Sequence, residues 1–193
     1  GHGGSLTVDT VESPTAAQYS AVVQKVQADG STVAINKEPL SDVRTTANNG
    51  AIDLRTPNGS LTINGGSDDS SSVGVSADGS GSVALKATGS TGTRTLAVNA
   101  DVLSSSGLLD LYGEDAVTTG SGVSMTTGGS SAVVVESGGD QVTLGSGNTV
   151  SSGSSSVGVV AETNATIGSG SSITTSGGGL LAITAKDDAI VQD

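Results

Sequence analysis

One short pattern recurs along the chain at nearly constant spacing: a small residue, then an apolar residue, any residue and a second apolar residue. The starts of six such segments lie 22, 26, 24, 25 and 23 positions apart, and GSLTVDT from Gly4 fits the same pattern. A period in this range is typical of proteins built from stacked repeats. The six segments are GSLTIN from Gly59, GSVALKA from Gly81, GLLDLYG from Gly107, SAVVVES from Ser131, SVGVVAE from Ser156 and GLLAITA from Gly179.

Apolar residues within each unit alternate with other residues, which indicates strands with one buried face. Val83 and Leu85 would point inward, and Ala84 and Lys86 outward. No window has a helical period of useful length, so each unit of about 24 residues is predicted to hold three short strands. Two further apolar series recur: Leu96/Val98, Val117, Val142/Leu144, Ile167 and Ile190; and Val102, Val123/Met125, Val150 and Ile173.

These patterns predict an all-β fold, a parallel β-helix (β-solenoid) with three short strands per coil. Rungs about 4.8 Å apart would stack one unit on the next. The narrow core suits a chain with two Tyr and no Phe or Trp, and its Gly, Ser and Asn residues suit the corners. One interior column would contain Val83, Leu109, Val133, Val157 and Leu181.

The pattern is looser at the amino-terminal end. We assign residues 1–57 to the first coils, with Leu6/Val8 opening a coil that Ile52/Leu54 closes. The segment AVVQKVQADGSTVAIN, around Asp29-Gly30, predicts a β-hairpin inside an insertion at about residues 14–47. A separate amino-terminal cap is the alternative. Residues 58–193 would form regular coils of a longer solenoid or of a chain that stacks on copies of itself. The last rung, around Leu181 and Ile183, would be open or covered by a neighbouring molecule.

Composition narrows the function. The formal net charge is −12, with 19 acidic and 7 basic residues, and this argues against binding to nucleic acid or anionic membranes. The chain has no Cys, so it has neither disulfides nor thiolate metal sites. No apolar run has the length of a membrane span, so we expect no insertion into a membrane.

The segments GAIDLRTPNGSLTINGG, GSVALKATG and GDQVTLGSGNTV resemble the repeats of filamentous-haemagglutinin-type bacterial exoproteins. The resemblance covers most of residues 50–193. It implies a right-handed parallel β-helix at the bacterial cell surface or outside the cell, part of a long adhesin whose partners are cell-surface molecules or glycans. Passengers of autotransporters share this architecture, so the resemblance leaves the secretion route open.

Candidate catalytic residues are few. Some parallel β-helices cleave acidic polysaccharides, and this chemistry needs carboxylates near Arg or Lys. The acid pairs are Asp68-Asp69, Glu114-Asp115 and Asp187-Asp188, but the basic residues are scattered along the sequence. His2, the sole histidine, lies near the first residue. We therefore expect no catalytic residue, no cofactor and no enzymatic activity.

Calcium is a second use for acidic turns, because it prefers oxygen ligands. The segments GGSDDSSS and DGSGSV are acid-bearing turns, yet a regular calcium-binding nonapeptide repeat is absent from the sequence. Turn formation by Asp is the favoured interpretation, so we predict no metal site.

Outward-facing apolar residues on the first strand of each unit are the candidate binding surface. Stacked in neighbouring coils, they would form an exposed apolar stripe, and such patches often mark contact surfaces. We call these residues the contact stripe: Leu108, Ala132, Val134, Val160, Leu180 and Ala182.

Three functions remain open. The first is a non-enzymatic structural and adhesive segment of a secreted or surface-attached exoprotein, which extends a rigid rod and presents contact surfaces. The second is a component of an extracellular filament or biofilm matrix that associates with copies of itself. The third, which the composition favours least, is a polysaccharide-cleaving β-helix enzyme.

Overall fold

A computed structural model describes residues 43–65 and 72–193 in full, together with the backbone of three short strands before them. The described residues form 21 strands, and none of them is helical. Nineteen strands belong to three parallel sheets. β2 (Gln24–Val26) and β3 (Thr32–Ala34) pair with each other in antiparallel fashion.

The three sheets are stacks of strands taken one from each coil. Sheet 1 contains β1 (Leu6–Val8), β6 (Leu61–Ile63), β9 (Leu96–Val98), β12 (Val117–Thr119), β15 (Val142–Leu144), β18 (Ala165–Ile167) and β21 (Ala189–Val191). Sheet 2 contains β4 (Val43–Arg44), β7 (Val73–Ala77), β10 (Asp101–Ser104), β13 (Ser124–Thr127), β16 (Thr149–Ser152) and β19 (Ser172–Thr175). Sheet 3 contains β5 (Ile52–Pro57), β8 (Val83–Thr88), β11 (Leu109–Gly113), β14 (Val133–Ser137), β17 (Val157–Ala161) and β20 (Leu181–Ala185).

The chain visits sheets 1, 2 and 3 in turn and then returns to sheet 1. Each strand therefore pairs with the strand one coil earlier and one coil later, always in parallel. The result is a three-sided β-solenoid of six coils, followed by β21, with a spacing of about 24 residues. The predicted all-β parallel solenoid is confirmed.

The predicted interior columns are also observed. Leu109 pairs with Val83 on one side and Val133 on the other, and Val157 pairs with Val133 and Leu181. Side chains from the three sheets meet in one continuous apolar core. A second interior column contains Val102, Met125, Val150 and Ile173, as the spacing predicts.

Two register predictions are wrong. The segment GSLTIN does not precede GSVALKA in one column: β6 lies in sheet 1, next to β9, and β5 is the true neighbour of β8. Ile190 is not the interior partner of Ile167 either, because it pairs with Thr166, while Val191 pairs with Ile167. A shift of one residue moves a strand side chain to the opposite face.

Close approach of successive coils explains the glycines at one corner. A Cβ on Gly107 would lie 2.1 Å from the carbonyl oxygen of Gly81, and a Cβ on Gly81 would lie 2.2 Å from that of Gly50. Real side chains do not fit at these two levels, so Gly81 and Gly107 are required there, whereas Ser131 and Ser155 occupy the corner in the next two coils. The sheets can then stack without a shift of register.

Buried hydrogen bonds fix another corner. Asn148 is 1 % exposed, and its Oδ1 accepts a hydrogen bond of 2.8 Å from the backbone N–H of Val123 in the preceding coil. Its Nδ2 donates to the hydroxyl of Thr119. Because a buried amide must be paired, these contacts hold neighbouring coils at one fixed distance.

The first coil has a longer excursion. β1 pairs with β6, and β4 pairs with β7, so β1, β4 and β5 belong to successive sides of one coil. The β2–β3 pair lies between β1 and β4 in the chain, within the range given to the hairpin insertion. Most residues of 14–47 lie outside the described part, and the division of the chain at residue 57 stays a prediction.

Candidate functional site

The contact stripe lies on the outer side of sheet 3, but in three columns and not in one. Val134 and Ala182 belong to one outward column, with Gly158 between them. Val160 belongs to the next outward column, between Glu136 and Thr184. The remaining members, Leu108, Ala132 and Leu180, each come immediately before a strand of sheet 3.

Exposure along the stripe rises toward the last coil. Ala132, Val134 and Val160 are half-buried, and Leu108 is 37 % exposed. Ala182 is exposed, and Leu180 is 76 % exposed. The stripe therefore reaches solvent mainly through its carboxyl-terminal members.

Charged residues interrupt the stripe in the amino-terminal half of the same face. Asp53 and Arg55 lie on β5 and form an ion pair of 2.6 Å, and Lys86 forms an ion pair with Asp110 one coil later. Asp110 follows Leu108 and is the direct neighbour of Val134 in the outward column. Alternation along GAIDLRTP and GSVALKA could have placed these charges on the outer face beforehand.

The outer face of sheet 3 is consequently divided. Its amino-terminal half carries paired charges, together with Tyr112 and Glu136. From β14 onward the outward positions are mostly small or apolar, with Glu136 and the ion pair of Lys186 with Glu162 beside them, and we call these small or apolar positions the uncharged patch. The uncharged patch consists of Val134, Gly158, Val160, Ala182 and Thr184.

Hydrogen bonds and burial shift the pKa values of two residues in the amino-terminal half of this face. The hydrogen bond from Arg55 lowers the pKa of Asp53, so this carboxylate stays ionised. Partial burial raises the pKa of Tyr112, and the hydrogen bond that its hydroxyl donates to Glu114, of 3.0 Å, raises it further. Tyr112 therefore stays neutral at physiological pH.

The acid pairs are held in separate surroundings. Asp115 accepts hydrogen bonds from the guanidinium of Arg94 and, secondly, from its backbone N–H, and both lower the pKa of Asp115. Asp187 and Asp188 are exposed on the last coil, and their backbones bond to the coil before. The third pair, Asp68-Asp69, lies outside the described residues.

Metal ligands are not brought together in the described part of the chain. Among residues 43–65 and 72–193, no group of three or more His, Cys, Asp or Glu side chains could hold an ion. The prediction of no metal site concerns the whole chain and stays a prediction. No helix in the described residues is long and apolar enough to cross a bilayer.

The outer side of sheet 2 has a different chemistry, which the sequence analysis missed. Its last three strands carry aligned hydroxyls, and a shallow groove runs beside them across three coils. The clue in the sequence is the recurrence of SMTT, TVSS and SITT. The groove is lined by Thr126, Thr127, Gly128, Ser151, Ser152, Gly153 and Ser176.

Thr127 and Ser152 are nearly fully buried beside this groove, and they differ in their hydrogen bonds. The hydroxyl of Ser152 donates to the carbonyl of Ser131 at 3.0 Å, whereas the hydroxyl of Thr127 has no partner. Because water does not reach the Thr127 oxygen, a ligand in the groove would not reach it either.

The last coil exposes more apolar surface than any other part of the described chain. Four of the five exposed large hydrophobic side chains belong to it: Leu180, Leu181, Ile190 and Val191. Leu181 and Val191 occupy interior columns of the solenoid. They are exposed because no described strand follows β20 or β21, so they are not counted with the outward positions of the uncharged patch.

Comparisons with known proteins add no relative. No family model, no curated protein and no solved structure matches this chain. The geometry of the rod and of its three outer faces is therefore the basis for any proposal about function.

Proposed function

We propose that this chain is a non-enzymatic structural and adhesive segment of a secreted or cell-surface bacterial exoprotein. The observation that carries the proposal is the uncharged patch, displayed on a solenoid whose strand register continues from coil to coil. The resemblance of residues 50–193 to adhesin repeats supports the same conclusion.

The rod would act by holding the patch in one fixed arrangement. Successive strands repeat about every 4.8 Å, so Val134, Gly158 and Ala182 form a row of evenly spaced positions. A rigid surface loses little conformational entropy on binding, which favours adhesion by many weak contacts.

Charge would select the partner. The net charge of −12 opposes strongly acidic surfaces, while the uncharged patch accepts neutral groups. Neutral glycans and proteins at the surface of another cell fit these properties best. Nucleic acid does not, because four of the described basic side chains, Arg55, Lys86, Arg94 and Lys186, are each paired with an acid.

A second candidate function is self-association in an extracellular filament or matrix. The uncharged patch favours it, because apolar positions that repeat from coil to coil on one outer face form a surface on which a second copy can pack. In this case the partner is a copy of the same protein.

Binding to cells and to a glycan array tests the adhesive proposal. The labelled chain is applied to an array of neutral and acidic glycans and to cultured epithelial cells. Val160→Lys places a charge in the uncharged patch, whereas the matched control Thr143→Lys places one on the outer side of sheet 1. Both positions are half-buried and outward, so both variants should fold.

We expect binding by the wild-type chain and by Thr143→Lys, and a loss of at least about tenfold with Val160→Lys. Equal binding by both variants would show that the uncharged patch is not the binding surface. Absence of binding by the wild-type chain to every glycan and to the cells would contradict adhesion itself.

A further inference from the structure

Three Asn-Gly dipeptides occur in the chain: Asn49-Gly50, Asn58-Gly59 and Asn64-Gly65. Glycine after asparagine leaves the side-chain amide open to attack by the next backbone nitrogen, because glycine has no Cβ to hinder the approach. This reaction, deamidation through a succinimide, converts asparagine into aspartate or isoaspartate. The three dipeptides share the same two residues, but they differ in their surroundings in the solenoid.

Asn58 is fixed by a turn of the following coil. Its φ is 60°, in the left-handed region, where Cβ and the following nitrogen lie on opposite sides of the Cα–C bond. Its Oδ1 accepts hydrogen bonds from the backbone N–H groups of Ser90 and Thr91, at 2.8 and 3.1 Å. A Cβ on Gly89 would lie 2.2 Å from this oxygen, so the turn closes tightly around it. Gly59 is buried as well, which shields its N–H from bases in solvent.

Asn49 is held in the same way, although it is exposed. Its φ is 56°, and its Oδ1 accepts a hydrogen bond of 3.0 Å from the backbone N–H of Ser80. A Cβ on Gly79 would lie 2.0 Å from this oxygen. Exposure alone would make Asn49 the most reactive of the three asparagines, whereas its left-handed backbone keeps Cγ away from the nitrogen of Gly50.

Asn64 differs from both in its backbone and in its hydrogen-bond donor. It lies directly after β6, outside the left-handed region, and it is half-buried, as is Gly65. Its Oδ1 accepts a hydrogen bond of 2.9 Å from Nδ2 of Asn99, an exposed side chain of the next coil. Solvent-exposed hydrogen bonds open more readily than buried ones, so this side chain holds the amide less firmly than a backbone turn does.

We propose that Asn64-Gly65 is a site of spontaneous deamidation in the folded protein, and that the folded structure protects the other two dipeptides. The backbone nitrogen of Gly65 attacks Cγ of Asn64, and a base in the solvent takes the amide proton. The Cγ–Nδ2 bond then breaks, and ammonia leaves with a proton from the solvent. Water opens the succinimide at one of its two carbonyl carbons, which gives aspartate or isoaspartate.

The modification would change the end of β6 in two ways. Either product adds one negative charge beside Asn99. Isoaspartate also carries the main chain through Cβ, so the chain becomes one carbon longer just after β6. The inference goes beyond both proposed functions, because it concerns a covalent change of the chain and needs no partner.

Peptide mapping by mass spectrometry tests the proposal on the 193-residue chain. The folded chain is kept for weeks at mildly alkaline pH, and a second sample is kept in concentrated urea. Fragmentation of the peptides measures the conversion at Asn49, Asn58 and Asn64 separately. In the variant Gly65→Ala the added methyl group hinders the attacking nitrogen. It fits the fold, because the atom nearest to the new Cβ, Cβ of Ala100, lies at an ordinary contact distance of 3.5 Å.

We expect conversion at Asn64 to be at least about tenfold faster than at Asn49 and Asn58 in the folded chain, and similar at all three sites in urea. Gly65→Ala should slow conversion at Asn64 by at least about tenfold and leave the other two sites unchanged. Conversion at Asn49 or Asn58 that equals or exceeds conversion at Asn64 in the folded chain would overturn the proposal. It would also be overturned if Asn64 reacted only in urea, or if Gly65→Ala left its rate unchanged.

Discussion

Substituting Val133 with aspartate tests which face of β14 points into the solenoid. Val133 is fully buried and pairs with Leu109 and Val157 in the column of sheet 3. An aspartate side chain here would have apolar neighbours from three coils. Val134, the next residue, is outward and half-buried, and serves as the matched control.

The expected loss of stability in Val133→Asp is the sum of three free-energy terms. Removal of the valine methyl groups costs about 1–2 kcal/mol, and burial of an unpaired polar group costs about 1–3 kcal/mol. Burial also raises a carboxyl pKa, and a rise of about 3 units adds about 4 kcal/mol at pH 7. The total, about 6–9 kcal/mol, predicts a fall in Tm of at least about 12 °C for a chain of this size.

Val134→Asp should be mild. Its carboxylate reaches solvent, and the main cost is repulsion from Asp110 on the adjacent strand. Like charges on neighbouring strands cost about 0.2–1 kcal/mol, so Tm should fall by at most about 4 °C.

Thermal melts by far-ultraviolet circular dichroism at pH 7 and pH 3.5 measure both variants. A buried aspartate with a raised folded-state pKa destabilises most where the unfolded state is ionised, above about pH 4. The deficit of Val133→Asp should therefore shrink at pH 3.5. Equal falls in Tm for the two variants, or a fall for Val133→Asp that is the same at both pH values, would refute the register of sheet 3.

Three further predictions test corners, ion pairs and metals. Asn148→Ala should lower the free energy of unfolding, measured with urea, by about 1–3 kcal/mol, because it leaves the Val123 N–H buried without a partner. An equally small effect of Asn148→Ala and of the exposed control Asn99→Ala would contradict this role. Asp115→Asn should make the stability of the protein fall less steeply on acidification. The folded state lowers the pKa of Asp115, so its contribution to stability is present above about pH 4 and is lost as the pH falls through the folded-state pKa. An unchanged profile of stability against pH would argue against the contact with Arg94. EDTA should leave Tm unchanged within about 2 °C, because the described residues hold no cluster of metal-binding side chains. A fall in Tm of about 10 °C would instead establish a structural cation.

The interior columns could be predicted from the sequence because one physical rule governs them. In sheet 3, Leu109, Val133, Val157 and Leu181 recur every 24 residues and alternate with outward residues. A buried face tolerates no slip by one residue, so the pattern fixes both the column and the direction of its side chains.

The sheet that contains GSLTIN could not be predicted in the same way. Its pattern, Leu61-Thr62-Ile63, is compatible with any side of the solenoid, since all three sides bury alternating apolar residues. The interval between Ile52 and Val83 is longer than a regular coil, so equal spacing selected the wrong strand.

Terminal and outer features escaped prediction for another reason. Every residue of β21 is exposed, so burial does not distinguish the inward position from the outward position at Ile190 and Val191. The contact stripe rests on the outward apolar positions of one strand in each unit, but the ion pair of Lys86 with Asp110 joins two coils that only the stacked structure brings together. Contacts between coils require the register, and the register comes from the whole stack.

Distances between spin labels along one outward column test the solenoid most directly. Ala84 and Ala182 are separated by four rung spacings through Asp110, Val134 and Gly158. The chain has no native Cys, so Ala84→Cys/Ala182→Cys carries labels at these two sites alone. Double electron–electron resonance, with labelled chain diluted in unlabelled chain, should give a narrow distribution at about 19 Å plus the label linkers. A broad distribution centred near 55 Å, as for about 98 residues of flexible chain, would contradict the stacked rod and the proposals built on its faces.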